Sequence, residues 1–185
     1  MQDDIIGRFH AALPSIRGWI DEYLNDHAAR ARAVSTLGFT RLSACFPHEF
    51  LERAKVVTVP LVPFPPVDRF GLPELASLQH MSFAGITFKD TFFLQQGQNS
   101  ESLHFHELVH VVQWARLGVD NFLLAYGVGL VQFGYEQSPL EQMAYSLQQA
   151  FDNGKLPEEL VSVIETRTDA IWTQVAPVFE VRSRA

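Results

Sequence analysis

The sequence predicts an α+β fold, mainly helical, with a small β-sheet or hairpin ahead of one central apolar helix. Three observations carry this. Apolar residues recur at three- and four-residue steps in 3–33 and again in 157–175, the period of helices with one buried face. Two short runs, 55–61 and 86–94, are rich in β-branched and aromatic residues, which suit strands. A polar loop then leads into an apolar segment free of Pro and Gly from Ser100 through Leu117.

In chain order, the first helix runs from residue 3 to about 33. Ile5, Ile6, Phe9, Leu13, Ile16, Ile20 and Leu24 form its buried stripe, and Asp21, Glu22, Asp26, Arg30 and Arg32 its solvated face. Pro14 is expected to kink or split it. Residues 38–53 read as irregular, apart from a short helix over 48–54 that Pro47 starts. Lys55–Leu61 reads as a strand. Pro60, Pro63, Pro65, Pro66 and Pro73 follow, so the next segment is extended and lacks donors for a central strand. It is expected to be an ordered loop over the core. Residues 75–82 are too short to assign. Residues 86–94 read as strand, folding back in a tight hairpin at Lys89-Asp90.

Ser100 or Ser102 caps the central helix, and Gly118 offers its stop. The run Phe122–Tyr135 is apolar with three glycines. It fits a buried helix or turn beneath a site, or the wall of a pocket that the backbone approaches closely. Ser138-Pro139-Leu140-Glu141 opens another helix, with Ser138 as N-cap, Pro139 first and Glu141 closing a capping box. It stops at Asn153-Gly154. The last helix, 157–175, buries Leu160, Val163, Ile164, Ile171 and Val175.

Composition narrows the function classes. At 185 residues the chain is expected to form one domain over 1–185, with a core of about 84–150 and the helix 3–33 packed on it. Apolar residues are 47% and charged ones 19%, a globular balance that excludes wholesale disorder. A net charge of −7 argues against a nucleic-acid partner. The lone Cys45 excludes an internal disulfide framework, fits a reducing compartment and reads as a small buried residue. The acidic start does not resemble a signal peptide, and the apolar run at 122–135 is too short to span a bilayer. The expected location is cytoplasmic, with no membrane partner.

The chemistry concentrates in His106-Glu107-Leu108-Val109-His110, an H-E-x-x-H pattern. Residues four apart share one helix face, so both histidines can aim a nitrogen at one point about 2 Å from each, the Zn–N distance. Glu107 is placed to take a proton from water on that metal. His104, two residues earlier, points to another face and reads as structural. A catalytic zinc takes a third ligand from the protein. Glu136 and Glu141 both stand downstream, and Glu141 has a competing role as a cap.

An H-E-x-x-H helix followed some thirty residues on by a helical glutamate resembles the gluzincin metallopeptidases, in particular the compact minigluzincin-like bacterial forms. Their third ligand opens a Glu-x-x-Ala-Asp stretch. Here the stretch is Glu141-Gln142-Met143-Ala144-Tyr145, with Tyr145 where the family has the aspartate that orients a ligand histidine. The likeness spans roughly residues 84–150. It implies a zincin-like domain, Zn2+ held by His106, His110 and Glu141, Glu107 as general base, and a peptide or protein substrate. It also implies a rim strand to which an extended peptide adds, a place that Phe92–Leu94 would fill. Tyr126, Tyr135 and Tyr145 are candidates to donate to the developing oxyanion. Tyr135 is preferred because it enters the Glu141 helix. Two other readings compete: a zincin-like binding or scaffold protein without catalysis, and a helical interaction domain whose motif holds no metal.

Overall fold

A computed structural model describes residues 2–180. The fold is α+β: six helices and a four-stranded sheet among the described residues. The first helix, α1 (Gln2–His27), buries Ile6, Phe9, Leu13, Ile16 and Ile20 of the expected stripe together with Ala12, while Ile5 and Leu24 are half-buried. It ends six residues earlier than the periodicity suggested. Arg32–Ala33 instead forms a short strand, β1, that pairs antiparallel with β2 (Lys55–Val59). Pro14 does not split the helix. It sits on the exposed face, where water can take up the carbonyl that loses its partner, while Leu13 and Ile16 anchor the chain on either side.

Residues 38–53 are more regular than expected. A helix α2 (Thr40–Cys45) precedes α3 (His48–Arg53), which begins behind Pro47 as the sequence indicated. The hairpin at Lys89-Asp90 joins β3 (Gly85–Phe88) to β4 (Thr91–Gln95), with Lys89 at φ 59°. The sheet order is β1-β2-β4-β3, and β2 runs parallel to β4. The two central strands are covered on both faces, so apolar residues follow one another instead of alternating with polar ones. Val57, Val59 and Phe93 join the cluster that includes α1, whereas Val56, Phe92 and Leu94 face Phe105, Leu108 and Val112 of the motif helix.

The proline-rich segment that joins β2 to β3 is an ordered strap. Val62, Val67, Leu72, Leu75, Leu78 and Phe83 are all buried in the α1 cluster. The long helical stretch α4 (Glu101–Phe133) is broken at Gly118, whose φ 72° and ψ 173° lie outside the helical region. The first half crosses the sheet. The second half, with Phe122, Leu123, Leu124, Val128 and Leu130, packs in the α1 cluster. Here the close approach that the glycines allow is a fact of packing: a Cβ on Gly127 would sit 2.5 Å from the Phe9 ring. Finally α5 (Pro139–Asp152) and α6 (Leu160–Glu180) pack on α4. No helix among the described residues is long and apolar enough to cross a membrane.

Two glycines should respond oppositely to a methyl group. The backbone of Gly118 occupies a region reserved almost wholly for glycine, so Gly118→Ala is expected to lower stability by about 1–3 kcal/mol. Gly18, exposed in α1 with nothing within 4 Å of an added Cβ, gives the reverse: Gly18→Ala should stabilise by about 0.5–1 kcal/mol. Urea unfolding midpoints measure both.

Candidate metal centre

The centre rests on two helices. Ser100 caps α4 by accepting from the Leu103 N–H at 3.2 Å, and a turn later the helix delivers His106 and His110 on one face. Both imidazoles are buried, at 4% and 5% exposure, and their Nε2 atoms approach to 3.1 Å. From the first turn of α5, Glu141 brings one oxygen, Oε2, to 3.4 Å from His106 Nε2 and 3.5 Å from His110 Nε2. Three bonds of 2.0–2.1 Å to a tetrahedral ion would space their ligand atoms by ~3.3–3.4 Å. The observed triangle has that size. Glu141 Oε2 also makes no hydrogen bond, although it is fully buried. Such an orphaned acceptor is costly unless something positive sits beside it.

The electrostatics agree. Burial pushes the His110 imidazolium towards losing its proton, but the Glu141 carboxylate more than offsets this and lifts the pKa to about 9. Burial likewise disfavours ionised Glu141, and the attraction of His110 reverses it, holding the carboxyl well below its usual range. The pocket therefore favours positive charge between these groups. His106, His110 and Glu141 together form a buried set able to hold a metal ion. Of the two glutamates left open by the spacing, Glu141 reaches the histidines. Glu136 is exposed in the preceding turn, where its backbone carbonyl accepts from the Gln142 side chain.

Each ligand is oriented by a further side chain. Gln113 Oε1 lies 2.8 Å from His110 Nδ1, and Gln113 Nε2 donates to the Leu140 carbonyl at 3.1 Å. Gln148 Oε1 lies 3.1 Å from His106 Nδ1 and is itself tied through Ser102 to Asp152. An amide oxygen can only accept, so each Nδ1 carries a proton and each Nε2 faces the centre, where a metal would displace the second proton that Glu141 otherwise holds on His110. The Tyr126 hydroxyl donates to Glu141 Oε1 at 2.6 Å. Tyr145 meets His106 only through its ring, with centroids 4.7 Å apart, and stays exposed. The position where the gluzincin pattern has an aspartate is thus bypassed: glutamines supply the acceptors instead. Gln113 stands three residues after His110 and Gln148 seven after Glu141, spacings that share a face with the ligand and could have flagged both. Tyr126, read from the sequence as a candidate oxyanion donor, is committed to Glu141 instead, a role that no local spacing marks.

Glu107 is buried beside the ligands, and Thr87 Oγ1 of β3 donates to its Oε2 at 2.6 Å. Its other oxygen fills the space of a missing side chain, since a Cβ on Gly85 would meet Oε1 at 2.3 Å. Burial raises the Glu107 pKa, and the two neighbouring imidazoles pull it back in part. The strand beside Glu107 is therefore β3. Phe92–Leu94 of β4 cannot serve as the rim, because β2 and β3 pair with both of its edges and all three residues are buried. Tyr135 lines the same cavity as Glu107 and Glu141; burial, then the charge of Glu141, holds its phenol protonated.

The capping box does not form. Ser138 occupies the N-cap position of α5 without a side-chain hydrogen bond, and Glu141 turns to the histidines and Tyr126 instead. His104 is structural: its Nδ1 bonds the Ser100 carbonyl at 2.9 Å and its ring meets Phe39 and Phe92. Comparison of the chain with known protein families, with curated proteins and with solved structures finds no match.

Elemental analysis of the purified protein should find one ion per chain, lost in His106→Ala and in Glu141→Ala. Gln113→Ala and Gln148→Ala should each weaken metal affinity by roughly 10–100-fold, as loss of a ligand-orienting partner does. Tyr145→Phe should leave it unchanged. Titration with a competing chelator measures all three, and a weaker site in Tyr145→Phe would restore that residue to the role of the missing aspartate.

Proposed function

We propose that this protein is a zinc-dependent hydrolase of peptide-type amide bonds, built as a gluzincin-like metallopeptidase site. The observation that carries the reading is the triangle of His106, His110 and Glu141 with Glu107 beside it on the same helix. Two imidazoles and one carboxylate suit zinc, which supplies Lewis acidity when bound, lowering the pKa of water and polarising a carbonyl.

The chain's own residues do the rest. Glu107 receives the proton of the attacking water and returns it to the leaving amine. Thr87 and Gly85 hold that carboxylate in place, one by donating to Oε2 and one by leaving room for Oε1. Gln113, Gln148 and Tyr126 keep the three ligand side chains aimed, so that little reorganisation accompanies the chemistry. Tyr135, kept protonated on the cavity wall, is the donor assigned to the oxyanion.

Glu107→Gln is expected to keep its metal and lose turnover by at least about a hundredfold, the scale of general-base catalysis. Gly85→Ala should also retain metal while lowering kcat, because its methyl displaces the Glu107 carboxylate. Activity of Glu107→Gln within twofold of wild type, with metal content matched, would falsify the assignment and leave a metal-binding scaffold as the reading.

A further inference from the structure

The same centre faces a cavity whose walls restrict what can react there, and the inference rests on the hydrolase reading above. We infer that the substrate is a compact, uncharged amide carrying one short aliphatic group beside its carbonyl, and not an extended polypeptide.

The first reason is size. The free volume against His106, Glu107, His110 and Glu141 is about 70 Å³. One water needs roughly 10–15 Å³ on this scale, and a cavity of about 150 Å³ accepts the six carbons of benzene, so there is room for roughly three to seven non-hydrogen atoms, enough for a short branched group and not for a peptide. The second is chemistry. Phe9, Ile16 and Ile20 of α1, Phe64 and Val67 of the strap, and Leu130 of α4 are among the walls. Apart from the ligands and Glu107, no charged side chain among the described residues lines the space. A terminal carboxylate or ammonium would find no partner there. The hydroxyls of Thr87 and Tyr126 are already engaged with Glu107 and Glu141.

The third reason is that the walls belong to the core. Ile16 and Ile20 are 2% and 0% exposed, and the Phe9 ring fills the space above Gly127. Lifting α1 or the strap to admit a peptide would expose many such side chains together, each a substantial loss. Addition of a peptide strand to β3 is impeded as well, because the Thr87 carbonyl accepts from the Trp114 indole N–H at 3.1 Å. The half-buried residues on the lining, Phe64, Gly85, Ile86, Tyr126 and Tyr135, mark the entrance. A single small molecule passes there more readily than a chain.

Hydroxamates with one metal-chelating head and different tails test this on zinc-loaded protein, by calorimetry. Isovalerohydroxamate should bind about tenfold or more tighter than acetohydroxamate. Succinic monohydroxamate, with its terminal carboxylate, should gain nothing over acetohydroxamate, and a hexapeptide hydroxamate should bind more weakly than the isovaleryl compound. Ile86→Trp, which narrows the entrance without touching ligands or base, should abolish the isovaleryl gain and keep the metal. Should that variant not fold, the series on the wild-type protein decides alone. Equal affinity for all tails, or tightest binding by the hexapeptide compound, overturns the substrate class and leaves the hydrolase reading standing. Failure of acetohydroxamate to bind zinc-loaded protein, or failure of zinc to load, removes both.

Discussion

A carboxylate is held away from water between two imidazoles, with one of its oxygens making no hydrogen bond. Much of the surrounding architecture follows from that arrangement. Ionised groups are stable in an apolar interior only when paired or bound to a cation. The positive charge favoured on His110 answers it in part, and a metal ion would answer it fully. The glutamines on the two Nδ1 atoms and the tyrosine on Oε1 act to the same end, each removing one alternative bond that the three ligands could otherwise make.

The amide partners set this centre apart from the pattern its motif suggests. A carboxylate on the far side of an imidazole adds negative charge and strengthens the ligand as a base. An amide oxygen fixes the same tautomer without adding a charge. With Gln113 and Gln148 in these places, the protein contributes fewer negative charges around the ion, and the field on a bound cation is less compensated. That is consistent with a site so closely walled by apolar side chains, where each further charge would need its own partner.

Packing and chemistry are coupled through two glycines and one helix break. Gly85 leaves the space that Glu107 occupies, and Gly127 leaves the space of the Phe9 ring. Gly118 turns α4 so that its first half carries the two histidines of the candidate metal centre and its second half closes the cavity against α1. The N-terminal helix carries no motif of its own. It nevertheless forms part of the cavity wall through Phe9, Ile16 and Ile20, so its contribution to the site is one of shape.

Local chemistry was legible in the sequence wherever a short period or a fixed offset carries it. The stripe of α1, the hairpin at Lys89-Asp90, the Gly118 break and the shared face of His106 and His110 all depend on neighbours a few residues apart. The choice of Glu141 over Glu136, the turning of Glu141 away from its cap, and the orienting roles of Gln113, Gln148 and Tyr126 depend on how α4 and α5 pack. The end of α1 at His27 and the internal place of β4 likewise follow from strand pairing across the sheet. Such contacts join residues tens of positions apart, and no periodicity encodes their distance. Residue types and helix faces were therefore determined by the chain alone, whereas the meeting of three ligands and the closure of the cavity were decided only when the layers came together.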